Sequence, residues 1–486
     1  MLRPGSVLLA TALLVAALLV AALLVADRAH AADPLPRAVQ QALLAAGIPA
    51  ANVALLVQEP GRPRPALAHN ADALMNPAST MKLLTSFAAL ELLGPTYAWK
   101  TEFFAAAPVR GGVLEGDLVI KGYGDPKMTI EHFWLALRKL RALGVRDVRG
   151  DLVLDRSWFE AGETDATRFD NEPLRPYNVA PDALLVNFKS VRFQFVPNLA
   201  SRTVSVAYEP QMAQLEVAPQ VRLTEGDCGD WRAGLKADFR GSGTSMRAGF
   251  SGTYPAGCGE KTWNVSLFSH PDYVYGVFRQ LWQEAGGSLK GGVRDGGVPP
   301  GAQLLFATES PSLSEVVRDI NKFSNNVMAR QLFLTLSAQT LKPPGRNDRS
   351  FEVVQSWLAQ RALALPGLVM DNGSGLSRTE RISAAGMARV LEAAFYSAVM
   401  PEFIASLPLV AFDGTMRRRL KTDGVAGRAH IKTGSLNDVR SIAGYVLDQN
   451  GRRQMVVFFI NHANASKGQA AQDALLKWIY EGAAVP

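Results

Sequence analysis

The feature that most constrains this chain is the separation of three short motifs. Residues 76–86 read NPASTMKLLTS, with Ser79 followed three positions later by Lys82. Ser324-Asn325-Asn326 lies 245 positions beyond Ser79, and Lys432-Thr433-Gly434 a further 108 beyond Ser324. Around the first motif the pattern is helical. Pro77 and Ser79 punctuate a helix start, Met81, Leu84, Phe87 and Leu90 recur at helical spacing, and Gly94 can end the run. Ser79 and Lys82 then share one face, one turn apart. Taken alone, the pair is also what an N-cap serine and a solvated lysine would look like.

Serine is a weak nucleophile until a base takes its proton, and the usual base is histidine. Five histidines follow the N-terminal segment: His69, His132, His270, His430 and His462. His430, on the strand before Lys432, reads as structural. No G-x-S-x-G elbow occurs. A lysine with a depressed pKa is the other solution, because a neutral amine can accept the hydroxyl proton.

The chain has 486 residues, more than one ordinary core takes, so several domains are expected. Hydrophobic residues make up 48% and charged residues 20%, a globular composition. The net charge of +7 is spread out, with Arg417, Arg418, Arg419 and Lys421 as the one basic run, so nucleic acid is not indicated. Residues 7–26 are an apolar run interrupted only by Thr11, behind Arg3 and followed by the small-residue site Ala29-His30-Ala31. This reads as a signal peptide over residues 1–31, and the run is long enough that an uncleaved anchor stays open. Either way the protein is exported. The two cysteines, Cys228 and Cys258, are too few for a Cys-rich zinc site. In an exported chain they pair as one disulfide, the alternative being two unlinked buried thiols. No metal or cofactor is implied.

Along the chain, GDLVIKG (116–122) and GDLVLD (150–155) read as strands flanking a helix that Thr129 caps and Gly144 ends. From about 191 to 262 short alternating segments rich in Gly and Pro read as a β-rich module holding both cysteines. Ser312 and Glu315 form a capping-box pattern, and residues 324–336 are expected to continue helically. Residues 430–435, 441–448 and 454–460 read as strands, and the last periodic segment, from Gly468, as a helix.

The ordered set S-x-x-K, S-x-N, K-T-G is the signature of penicillin-binding proteins and serine β-lactamases. With GYGDPKMT, DLVLDRSWF, NVAPDALLVNF, FSNNVMARQL, DNGSGLSR and FDGTMRRR, the chain resembles the D-alanyl-D-alanine carboxypeptidase/endopeptidases of the class C, low-molecular-mass penicillin-binding proteins. The resemblance implies an α/β (α+β) fold: a β-lactamase/transpeptidase-like domain with two nested inserted domains. The peptidase domain would span 32–100 and 305–486, an inserted α/β domain 101–190 and 263–304, and a nested β-rich domain 191–262. Ser79 would be the acylated nucleophile, Lys82 its base and Ser324 the relay to the leaving group. Asn326 would contact the substrate amide, Lys432 and Thr433 the terminal carboxylate, and the backbone N–H groups of Ser79 and Ser435, beside Gly434, would form the oxyanion hole. Arg378 would meet the charged end of the peptide side chain or stabilise its loop; Asp170 would bind an amine or cap a turn. The implied partners are peptidoglycan stem peptides and cross-links, and β-lactams. The implied location is the periplasm, with loose membrane association left open.

Two other readings compete. A serine β-lactamase of the same fold would need a positioned deacylating water and would lack the long insertion. A non-catalytic penicillin-sensing or wall-binding protein would be expected to have lost the nucleophile, and here all three motifs are intact.

Overall fold

The segment Val53–Gln58 reads VALLVQ and is buried on both faces, as a strand is only inside a covered sheet. In the computed structural model, which describes residues 35–160, 165–243 and 245–482, it is the second strand of a five-stranded antiparallel sheet. The order is Leu67–His69, Val53–Gln58, Arg453–Asn461, Val439–Leu447 and Ala429–Leu436. Both ends of the chain therefore build one sheet. Alternation divides its side chains between two cores. Leu56, Tyr445, Val457 and Phe459 pack with the helices Lys82–Leu93, Leu313–Phe323 and Asn326–Thr340. Leu55, Val57, Ile442 and Phe458 pack with Arg37–Ala45 and Gln469–Tyr480. The signal-peptide segment lies outside the described residues, among which no helix is long and apolar enough to cross a membrane.

The chain leaves this body after Trp99 and returns at Ser310. Trp99 N–H donates to Ser310 Oγ at 3.0 Å, and Ser310 N–H to the Trp99 carbonyl at 2.9 Å. Just beyond, Lys100–Ala105 and Gln303–Glu309 run antiparallel within a second five-stranded sheet. In that sheet Leu118–Gly122 and Leu152–Asp155 are parallel neighbours, linked through the helix Ile130–Ala142. A six-stranded sheet grows from it, from Val191–Asn198 to Lys261–Val265, whose last strand runs past residue 262. Cys228 and Cys258 are bonded beside it, with Cα atoms 4.3 Å apart. One apolar cluster joins both sheets, from Phe103 and Leu152 through Phe193 and Phe250 to Phe306.

Three local expectations need correction. Ser312 is an N-cap, but its hydroxyl bonds Glu315 Oε1 (3.2 Å) and Ser314 Oγ (2.9 Å), so no capping box forms. Thr129 holds the N-cap position without a side-chain bond to the helix amides. Residues 324–336 are not one continuous helix. Ser324 turns left-handed, with φ 55°, and the helix restarts at Asn326, capped by Asn325 Oδ1 accepting from Met328 N–H at 3.1 Å.

Candidate active site

Ser79 sits in the tight turn Ala78–Met81 at the mouth of the helix Lys82–Leu93. The turn is held from several sides. Asn76 Oδ1 accepts from Ala78 N–H (2.8 Å), and Asn76 Nδ2 donates to the Ser377 carbonyl (2.8 Å). The Asn461 amide pairs with both backbone groups of Asn76, at 2.8 and 3.0 Å. Ser441 Oγ donates to the Pro77 carbonyl at 2.6 Å. Two glycines allow neighbours to close on the nucleophile. A Cβ on Gly434 would lie 2.8 Å from Ser79 N, and one on Gly375 only 1.9 Å from the Ala78 carbonyl oxygen.

Lys82 has no exposed surface. Its Nζ reaches Ser79 Oγ at 3.0 Å, Asn326 Oδ1 at 2.6 Å and the Ser374 carbonyl. Burial above all, with the charges of Lys432 and Arg330, pushes Lys82 well below the ordinary lysine range, against the opposing charge of Glu380. Lys432, equally buried, donates to Ser324 Oγ at 2.8 Å and to the Thr433 carbonyl at 2.7 Å, and burial lowers it to about 7. Ser324 can present its hydroxyl here because its backbone takes the left-handed conformation, which costs an L-residue about 1–2 kcal/mol.

Thr433 Oγ1 bonds Thr415 Oγ1 at 2.7 Å. That loop is anchored by Lys322, which donates to Asp413 Oδ2 (2.6 Å) and the Leu407 carbonyl (2.7 Å). Ser435 Oγ accepts from Arg440 at 3.1 Å. The structure thus brings Ser79, Lys82, Ser324, Asn326, Lys432, Thr433, Gly434 and Ser435 to one end of the sheet. It also adds residues that motif spacing does not reveal: Asn76, Asn461, Thr415 and Glu380.

Arg378 lies to one side. It donates to Asp438 Oδ1 at 2.7 Å, and its guanidinium is 4.8 Å from the Phe169 ring centroid. With Arg330, Asp371 and Asn178 it lines a cavity of about 220 Å³. Asp170 does not line this cavity. Its oxygens accept from Tyr177 Oη (2.7 Å), Asn178 Nδ2 (2.7 Å) and Glu172 N–H (3.2 Å), so it ties its own loop rather than offering a free carboxylate to an amine. Burial alone would raise its pKa, but these bonds hold it below the usual carboxylate value.

The model of the D-Ala-D-Ala carboxypeptidase 3 (S13) family matches residues 35–481. The D-alanyl-D-alanine carboxypeptidase of Actinomadura sp. (strain R39) is 30% identical over 415 residues, covering 82% of this chain and 76% of that protein. The crystal structure of penicillin binding protein 4 (dacB) from Haemophilus influenzae superposes with a TM-score of 0.75 at 22% identity, over 91% of this chain and 99% of the other. Its complex with a β-lactam gives 0.70 at 21% identity and the same coverage. At these identities the two structures speak for the fold.

Proposed function

The chain belongs to the D-Ala-D-Ala carboxypeptidase 3 (S13) family, and from that premise we propose how its residues carry the reaction. The protein is a serine D-Ala-D-Ala carboxypeptidase of peptidoglycan metabolism. The observation that carries the assignment of roles is the buried Lys82 amine, 3.0 Å from Ser79 Oγ.

In acylation, Ser79 Oγ attacks the carbonyl of the penultimate D-alanine and gives its proton to neutral Lys82. The backbone N–H groups of Ser79 and Ser435 take the developing oxyanion, each worth about 3 kcal/mol. The C–N bond breaks as Ser324 gives its proton to the leaving nitrogen, and protonated Lys432, 2.8 Å away, replaces it. Deacylation reverses the traffic. Water attacks the ester, its proton passes through Ser324 to Lys432, and Lys82 returns the first proton to Ser79. The amine that leaves is free D-alanine in carboxypeptidase turnover and a second stem peptide in endopeptidase turnover; the bond chemistry is the same. Asn326 orients the substrate amide, and Lys432 with Thr433 faces the terminal carboxylate.

A β-lactam acylates Ser79 by the same first step, but its leaving nitrogen stays tethered in the site. The β-lactam complex of the Haemophilus relative supports this reading. The apolar run at residues 7–26 supports delivery to the periplasm. Mass spectrometry after mixing with a labelled penicillin tests the assignment: wild type gains one adduct on the peptide holding Ser79, and Ser79→Ala gains none. An adduct on the alanine variant would refute it.

A further inference from the structure

Glu380 is a carboxylate with no exposed surface that no motif predicts. Its Oε1 accepts three consecutive backbone N–H groups, from Asp371 (3.2 Å), Asn372 (3.1 Å) and Gly373 (2.9 Å). Burial raises the pKa of this carboxyl, and the three amides on one oxygen oppose that rise by favouring the anion. Oε2 has no hydrogen-bond partner among the described residues.

The turn that Glu380 grips is the one that meets Lys82. Gly373 is followed by Ser374, whose carbonyl accepts from Lys82 Nζ. Thr85, on the Lys82 helix, donates to the Gly373 carbonyl at 2.7 Å. Gly375, with φ 77°, then presses against the Ala78 carbonyl. Glu380, the turn and the nucleophile are thus linked in sequence with little slack. The charged groups facing Lys82 are Lys432 on the Ala429–Leu436 strand, Arg330 on the Asn326–Thr340 helix, and Glu380. Asp371 in turn faces both Glu380 and Arg330. Among the groups facing Lys82, Glu380 alone is acidic.

We propose that Glu380 is a positioning residue for catalysis: it fixes the 371–375 turn so that the Ser374 carbonyl holds Lys82, and it places a negative charge opposite those of Lys432 and Arg330. The inference rests on the Ser79–Lys82 assignment above. The two fail separately, because a penicillin adduct on Ser79→Ala would sink that assignment whatever Glu380 does.

Two substitutions separate charge from shape. Glu380→Gln keeps an oxygen for the three amides and removes the charge. Glu380→Asp keeps the charge and withdraws the oxygen by one methylene. Acylation by one β-lactam is followed against pH, with thermal unfolding as the check on folding. Without the charge, Lys82 loses its proton at lower pH, so the acid limb for Glu380→Gln should move down by about one unit. Glu380→Asp should keep the acid limb in place and lower the plateau about 10–100-fold. A Glu380→Gln profile that overlays wild type would overturn the proposal. So would a Glu380→Asp profile shifted like that of Gln. If Glu380→Gln does not fold, the aspartate variant decides alone: an unmoved limb with a lowered plateau supports the proposal, and a moved limb refutes it.

Discussion

Lys82 and Asn326 stand 244 positions apart in the chain and 2.6 Å apart in the fold. Lys432 and Ser324, 108 positions apart, are 2.8 Å apart. The tripeptide from Ser324 to Asn326 is therefore gripped by a buried lysine at each end. Two buried ammonium groups this near a common tripeptide repel, so the free enzyme favours one charged and one neutral lysine. Burial first and the charge of Lys432 second push Lys82 down, which favours its neutral form.

The backbone strain at Ser324 is testable apart from its hydroxyl. Ser324→Gly and Ser324→Ala should both lose about 10²-fold or more in acylation, because each removes the relay. Glycine takes φ 55° without penalty, so Ser324→Gly should be more stable than Ser324→Ala by about 1 kcal/mol. Denaturant unfolding of the pair checks this, and a glycine variant less stable than the alanine variant would contradict it.

The lysines also predict a pH profile. Acylation needs neutral Lys82, giving an acid limb, and protonated Lys432, giving an alkaline limb as pH rises through about 7. Lys432→Arg keeps its charge at every accessible pH. The alkaline limb should vanish in that variant even if the plateau is lower. Stability follows the opposite sign. Above about 7 the folded state binds fewer protons at Lys432 than the unfolded chain does, so this group's contribution rises with pH up to the ordinary lysine value.

Gln331 fastens the insertion to the catalytic helix. Its Oε1 accepts from Asp182 N–H (2.8 Å), and its Nε2 donates to the Asp182 carbonyl (2.8 Å), all buried. Gln331→Leu strands both backbone groups, at about 1–3 kcal/mol each. Hydrogen exchange should quicken across residues 179–185 while the Val439–Leu447 strand stays protected.

Replacing both Cys228 and Cys258 by serine opens a loop with a sequence separation of 30 residues, worth about 3 kcal/mol in the chain-entropy picture. The thermal midpoint should fall. The rate of β-lactam acylation at 25 °C should not, because no strand of the six-stranded sheet supplies a site residue.

Much of the site was legible because Ser79, Lys82, Ser324, Asn326 and Lys432 lie in short linear patterns, each at a helix start or on a strand. Glu380 was not legible, because what marks it is a set of three amides presented by a turn, and a turn's amides leave no trace in residue type. The left-handed Ser324 was hidden because serine gives no sign of positive φ, as glycine does. Ser312 and Glu315 misled because the same spacing also lets the two side chains bond each other. In the insertion, the alternating segments from about 191 to 262 read as a module of their own, and nothing in that pattern says that the sheet holding Leu152 and the sheet holding Phe250 share one core.

Lys82→Arg tests most directly whether Lys82 is the base. The guanidinium keeps a positive charge but has no neutral form to accept the Ser79 proton. The measurement is the acylation rate of wild type and Lys82→Arg with one β-lactam and one D-Ala-D-Ala peptide, on protein whose thermal unfolding shows it folded. With Lys82 as the base, the loss is about 10²–10⁴-fold or more with both compounds. A near-normal rate with either would contradict it and move the base role to Lys432.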